Sequence, residues 1–240
     1  MTRVPDVTHR IALAALNNAL WCDAVARSHG VATSTDADAW TAATRTPPYY
    51  PDAVTLSPTA GEYDVLARVD DSDGCSVKDS WSRLDLSMED FARLVVGEWV
   101  WLDLFGPARP APPGRWQRVT TPDAMAAWVR AWASDPDAEA ILRPSLLDEP
   151  GVTFLAQRAS DDRQAPVVAG AIVNVTGDVA GLGNVFALDG DVERAWGAAA
   201  AAARDVVGGI PLVGWEAGAS VDAAVAAGCE RIGPLSVWLK

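Results

Sequence analysis

Between Gly106 and Gly114, four prolines and two glycines occupy nine consecutive positions. Proline fixes φ and supplies no backbone N–H, so such a run continues neither a helix nor a central strand. The 240-residue chain is therefore expected to divide into two halves of similar size, 1–105 and 115–240, joined by a linker at 106–114. Half of all residues are hydrophobic and 21% are charged, which excludes a disordered chain and allows each half a core. No internal repeat is visible, although both halves mix helix and strand signals. The fold class is α/β, in the sense of an α+β arrangement on a mixed sheet.

In the first half, Ile11, Leu13, Leu16, Leu20, Trp21 and Val25 recur at helical spacing, predicting a helix over 8–28 that stops at Gly30. A short helix is predicted over 36–43 with Thr35 as its N-cap. Pro47-Pro-Tyr-Tyr-Pro51 then forces extended chain. Strands are predicted at 54–56 and 65–69, and a strand followed by a loop over 75–86. A helix capped by Ser87 is expected through Val96, with a further strand over 98–104.

The second half has a more regular rhythm. A strand over 116–120 leads to a helix with Pro122 in its first turn. Strands are predicted at 152–158 and 167–175, and Thr176-Gly-Asp178 turns the chain into a return strand over 179–187. An Ala-rich helix comes next over 191–207, ended by Gly208-Gly209, then a buried-type strand over 211–215. A helix over 220–227, capped by Ser220 and stopped by Gly228, precedes two closing strands, 229–232 and 235–239, split by Gly233-Pro234.

Lys plus Arg is 19 against 32 for Asp plus Glu, a net charge of −13. Non-specific nucleic-acid binding rests on neutralising phosphates, so no nucleic-acid partner is expected; an acidic surface instead suits amine-bearing ones. The widely spaced Cys22, Cys75 and Cys229 form no C-x-x-C pair, and His9 and His29 are the only histidines, so no metal site is expected. No run reaches the length of a membrane span, and the first residues carry no secretory-type apolar segment. The expectation is a cytoplasmic chain with reduced thiols and no membrane partner.

Several local patterns read as structure rather than chemistry. Ser28 and His29 are adjacent, so their side chains diverge, and His29 suits a helix C-terminus. Gly177, Gly181 and Gly183 sit in a hairpin, not between a strand and a helix. Asp70, Asp71 and Asp73 lack the rest of a calcium loop. Among the eleven tryptophans, Trp99 and Trp101 share a strand face and Trp128 and Trp132 a helix face, which suits a core. Tyr49, Tyr50, Asp79 and Trp81 combine polar groups with aromatics, a mixture that lines clefts; of these Tyr50, Asp79 and Trp81 are candidate acceptor-binding residues.

The order β-α-β-β-β-α-β-α-β-β from Trp116 to Lys240 resembles the GNAT superfamily of N-acyltransferases. Three passages carry the resemblance: Ala223 to Gly233, similar to the family's closing helix and turn; Pro234-Leu-Ser-Val-Trp-Leu-Lys240, similar to its last strand; and Gly183-Asn-Val-Phe-Ala187 before a helix. Arg194-Ala-Trp-Gly197-Ala-Ala199 also matches the family's Q/R-x-x-G-x-G/A signature. The resemblance implies an acetyl-CoA cosubstrate. Val185, Phe186 and Ala187 would hold its pantetheine arm, and Arg194, Gly197 and Ala199 would cradle its pyrophosphate.

It further implies that a carboxylate takes the proton of an amine, and Glu216, after the apolar run 210–215, is the candidate base. Trp215 beside it would raise its pKa and help bind substrate. The position of the family's acid Tyr falls on Ala224, a departure from the pattern, and the only tyrosines are Tyr49, Tyr50 and Tyr63. Two functions stay open: acetyl transfer from acetyl-CoA to a small-molecule or peptide amine by direct attack, or a catalytically inactive GNAT-fold binding module. The first half reads either as an accessory α/β half or as a reduced lobe of the same fold. A homodimer also stays open.

Overall fold

The computed structural model describes residues 6–104, 115–133, 136–160, 162 and 165–240; the expected linker at 106–114 lies outside them. The described residues form two compact units: one reaches Trp99 and includes Arg231–Lys240, and the other is Val100–Glu230. Among the described residues no helix is long and apolar enough to cross a membrane, and the three cysteines are buried and free.

The first unit opens with α1 (Val7–Ser28). The Asp6 carboxylate caps it by accepting the His9 N–H at 2.9 Å. Its apolar stripe buries Ile11, Trp21, Cys22 and Val25, and it ends at Gly30, whose φ of 77° suits glycine. The predicted helix over 36–43 is instead a hairpin of β1 (Thr33–Thr35) and β2 (Ala39–Ala42). The Asp36 carboxylate accepts the N–H groups of Asp38 and Ala39, which makes a turn where a helix was expected. The segment 39–42 is buried at every position, as a covered strand requires.

After β3 (Ala53–Thr55), the predicted strand over 65–69 is corrected to α2 (Glu62–Leu66), where the Gly61 N–H donates to Asp64 Oδ2 at 2.8 Å. β4 (Ser76–Asp79) pairs parallel with β3. The helix expected from Ser87 to Val96 is only a 3₁₀ turn, Ser87–Glu89, ended by Asp90 at φ 64°. Residues from Ala92 onward enter β5 (Ala92–Leu102), as the β-branched Val95 and Val96 favour.

In the second unit, β6 (Trp116–Val119), β7 (Val152–Arg158), β8 (Val167–Thr176) and β9 (Val179–Ala187) form an antiparallel run, and β10 (Leu212–Glu216) joins β9 in parallel. The strand order is β10-β9-β8-β7-β6. α3 (Pro122–Trp132) starts at a Thr121 cap, and its Trp128 donates an indole N–H to the Leu155 carbonyl at 2.8 Å. Trp128 meets Phe154 and Phe186 edge-on, with centroids 5.3 and 5.2 Å apart. Gly170 leaves room for this cluster, since a Cβ there would collide with both Phe186 and Trp128. α4 (Pro136–Glu139) is a single turn.

α5 (Val192–Val207) places Trp196, Ala199, Ala200 and Ala203 in a core with Leu155, Val173, Leu182 and Leu212, and buries Ala195 and Ala198 as well. α6 (Ala219–Ala226) has Gly218 at its cap position, two residues ahead of the expected Ser220 cap, and buries Ala224 in the same core. The two closing strands are a single β11 (Glu230–Leu239). Gly233 does not split it but takes φ 155°, and a Cβ there would lie 2.8 Å from Ile11 Cδ1. Residues 231–240 belong to the first unit, where β11 pairs antiparallel with β4, giving the order β1-β2-β3-β4-β11-β5 there.

Candidate functional site

Two local irregularities set the end of β9 apart. Gly170 pairs with Phe186 and Ile172 with Gly183, so Ala171 alone stands opposite Asn184 and Val185. Asn184 has φ 51°, the left-handed conformation of a bulge residue, which asparagine tolerates better than most side chains. A bulge of this kind takes backbone groups out of the ladder and re-aims the rest of the strand. On its parallel side, β9 is in register with β10 at Ala180 with Leu212 and Gly181 with Val213, and the Ala180 N–H donates to the Pro211 carbonyl at 2.9 Å. Beyond them Gly214 passes so close to Leu182 that a Cβ would lie 2.7 Å from the Leu182 carbonyl oxygen. Past this contact β10 continues through Trp215 to Glu216, beyond its register pairs with β9, while β9 stays paired with β8 as far as Ala187.

Glu216 ends β10 at this parting. Its side chain is half-buried, and burial pushes its carboxyl up to about 7 from an ordinary value of 4.5. The Trp196 indole N–H donates to Glu216 Oε1 at 3.0 Å, which works in the opposite direction by favouring the ionised form. Trp196 is itself fixed, 1% exposed in the α5 core. The thiol of Cys229 is pushed up to about 12, first by burial and then by the Glu216 charge, which leaves it protonated and unreactive. A carboxylate with a midpoint near neutrality, held by one indole at a strand end, can take and release a proton at physiological pH.

The other expected residues are placed less uniformly. Val185 packs against the α5 core, while Phe186 is taken up by Trp128, so what these positions offer a ligand is backbone. Arg194, Gly197 and Ala199 lie inside α5, not in a turn ahead of it, because Asp191 caps the helix and its first turn begins at Val192. Gly197 and Ala199 thus sit one to two turns into the helix, where backbone N–H groups serve the helix itself. Ala224 is fully buried, so its position faces the core.

Tyr50, Asp79 and Trp81 belong to the first unit. There Tyr50 meets Trp21 edge-on at 6.2 Å, and Asp79 accepts the backbone N–H groups of Trp81 and Leu84 at 3.1 and 2.7 Å. The Asp79 carboxylate thereby holds its own loop closed. Among the described residues no group of three or more His, Cys, Asp or Glu side chains is placed to hold a metal ion.

Sequence reasoning missed Trp196 as the partner of Glu216, the bulge at Asn184 and the close approach at Gly214. A polar residue inside a strand pattern and a glycine just ahead of Trp215-Glu216 were the available signals.

A donor of the acyl-CoA type can be tested against these residues. The parting strands and the bulge fit an extended amide-bearing arm, which pairs with strand backbone. The turn after β9 does not fit a diphosphate: it presents Asp189, Asp191 and Glu193 with one cation, Arg194, already bound to Asp189 at 2.5 Å and Asp191 at 3.3 Å.

No family model matches the sequence, and the comparison with curated proteins finds no match. Solved structures do match. A GCN5-related N-acetyltransferase from Kribbella flavida superposes with a TM-score of 0.60 at 14% identity, covering 99% of this chain and 96% of its own. An acetyltransferase described as of the GNAT family, from Novosphingobium aromaticivorans, gives 0.50 at 13% identity, covering 94% and 98%. A functionally unknown conserved protein from Staphylococcus epidermidis gives 0.57 at 12% identity, covering 70% and 73%. At these identities the likeness establishes a common fold.

Proposed function

We propose, from the GNAT fold that this chain has, that its second unit transfers an acyl group from a thioester to an amine, with Glu216 as general base. The observation that carries the proposal is a carboxyl with a midpoint near 7 at the point where β9 and β10 part. In its ionised form Glu216 takes one proton from an amine that arrives as an ammonium ion. The freed amine nitrogen attacks the thioester carbonyl, the C–S bond breaks, and the second proton leaves with the sulfur as a thiol. Trp196 holds Oε1, which leaves the other oxygen to meet the amine. The β9 backbone from Val185 to Ala187 would align the thioester arm beside it, so that positioning supplies much of the rate. Acetyl is the acyl group proposed, with a small-molecule or peptide amine as acceptor.

Amine-dependent thiol release, measured across pH with a panel of thioesters and amines, tests this. The expected rate rises with a midpoint near 7 and falls at least about 100-fold in Glu216→Gln. Unchanged turnover in that variant rejects Glu216 as the base. A second reading, a binding module without catalysis, is favoured by the buried Ala224 and by the acidic turn after β9. Thioester binding without thiol release from any amine would select it.

A further inference from the structure

Six backbone donors in and around the turn joining β9 to α5 are used internally. The Leu188 N–H donates to the Val168 carbonyl at 2.9 Å, and Gly190 to Ala187 at 3.1 Å. Asp191 donates to Asp189 Oδ1 at 3.1 Å, and Arg194 to Asp191 Oδ1 at 3.0 Å. Val192 and Ala195 donate to the carbonyls of Gly190 and Asp191 at 2.9 and 3.0 Å. A helix start that holds a diphosphate needs these N–H groups turned outward and a surrounding positive charge. Here three carboxylates, Asp189, Asp191 and Glu193, stand against one guanidinium, Arg194, and two of the three already clasp it. The Asp191 backbone N–H and Arg194 hold Asp189 below the usual carboxylate range, so it is charged at neutral pH. The strand backbone next to this turn is built differently: β9 carries a bulge where Asn184 and Val185 together stand opposite Ala171, and its register with β10 covers two pairs.

We infer that the site takes its donor by the acyl-pantetheine arm alone and rejects a diphosphate beyond it, so that the donor class is a pantetheine thioester and not a nucleotide-bearing one. This rests on the thioester reading proposed above and narrows it. The chemistry of recognition is amide pairing along β9, with no favourable contribution from phosphate.

Calorimetry with S-acetylpantetheine, acetyl-CoA and inorganic pyrophosphate tests the inference on the wild-type chain and on Asp189→Asn/Asp191→Asn. Both replacements keep a side-chain oxygen as cap acceptor, so α5 is expected to form. In the wild type, acetyl-CoA is expected to bind no more tightly than S-acetylpantetheine, and pyrophosphate not to bind. In the double variant, with Arg194 released and two charges removed, acetyl-CoA should tighten about tenfold or more while S-acetylpantetheine stays within about twofold. Wild-type binding of acetyl-CoA about tenfold or more tighter than S-acetylpantetheine overturns the inference and leaves acyl transfer standing. Binding of neither thioester overturns both.

Discussion

Replacing Glu216 with Gln is expected to stabilise the protein in alkaline solution, and the size of the effect comes from the site. Burial raises the carboxyl from 4.5 to about 7. A carboxyl with a higher folded-state pKa binds its proton more tightly when folded, so it adds no penalty below the unfolded value. As pH rises through the folded value, the unfolded chain ionises freely while the folded one pays desolvation, and stability falls. At 1.36 kcal/mol per unit, a shift of about 2.5 units corresponds to about 3 kcal/mol lost between roughly pH 4.5 and pH 8. Gln keeps an oxygen for the Trp196 indole and cannot ionise. Urea unfolding at about pH 5 and about pH 8.5 should therefore show the variant gaining about 2.5 kcal/mol on the wild type between the two conditions, since the unfolded carboxyl is already largely ionised at the lower pH. A difference that does not change with pH would refute the desolvated carboxylate, and with it the basis for Glu216 as a base tuned to neutrality.

Trp196→Phe removes the donor that favours the ionised form, so the Glu216 midpoint should move above about 7, read by carbon-13 titration of the side-chain carboxyl, with roughly 2 kcal/mol of core stability lost. Gly214→Ala places a methyl 2.7 Å from the Leu182 carbonyl and should cost about 1–3 kcal/mol in urea unfolding by pushing β10 from β9. In the first unit, the buried Asp52 accepts from Arg45 at 2.7 Å, from the Thr46 N–H at 2.8 Å and from the Ser76 N–H at 2.9 Å. Asp52→Ala leaves these donors unmet and should cost about 3 kcal/mol, measured the same way.

Most of the second unit is legible in the sequence. Its strands carry clear turn signals at Thr176-Gly177-Asp178 and Gly208-Gly209, and its helices carry apolar stripes, so local physics and tertiary structure agree. The errors in the first half share a cause. Residues 39–42 and 65–69 are short, mostly apolar runs whose period is ambiguous, and backbone N–H groups donating to the Asp36 and Asp64 carboxylates settled what periodicity could not. Arg194, Gly197 and Ala199 show the limit of a motif: the spacing was present, but the Asp191 cap started the helix early enough to take them into its interior.

From sequence alone came the α/β class, the GNAT-like order of elements and Glu216 at a strand end, because these depend on patterns within a dozen residues. The partner of Glu216 was decided only in three dimensions, as Trp196 lies twenty residues away and reaches it across the α5–β10 packing. The Asn184 bulge and the two-pair ladder between β9 and β10 were likewise tertiary facts. Strand register and strand parting are set by what each strand packs against, and no local stretch of the chain encodes that.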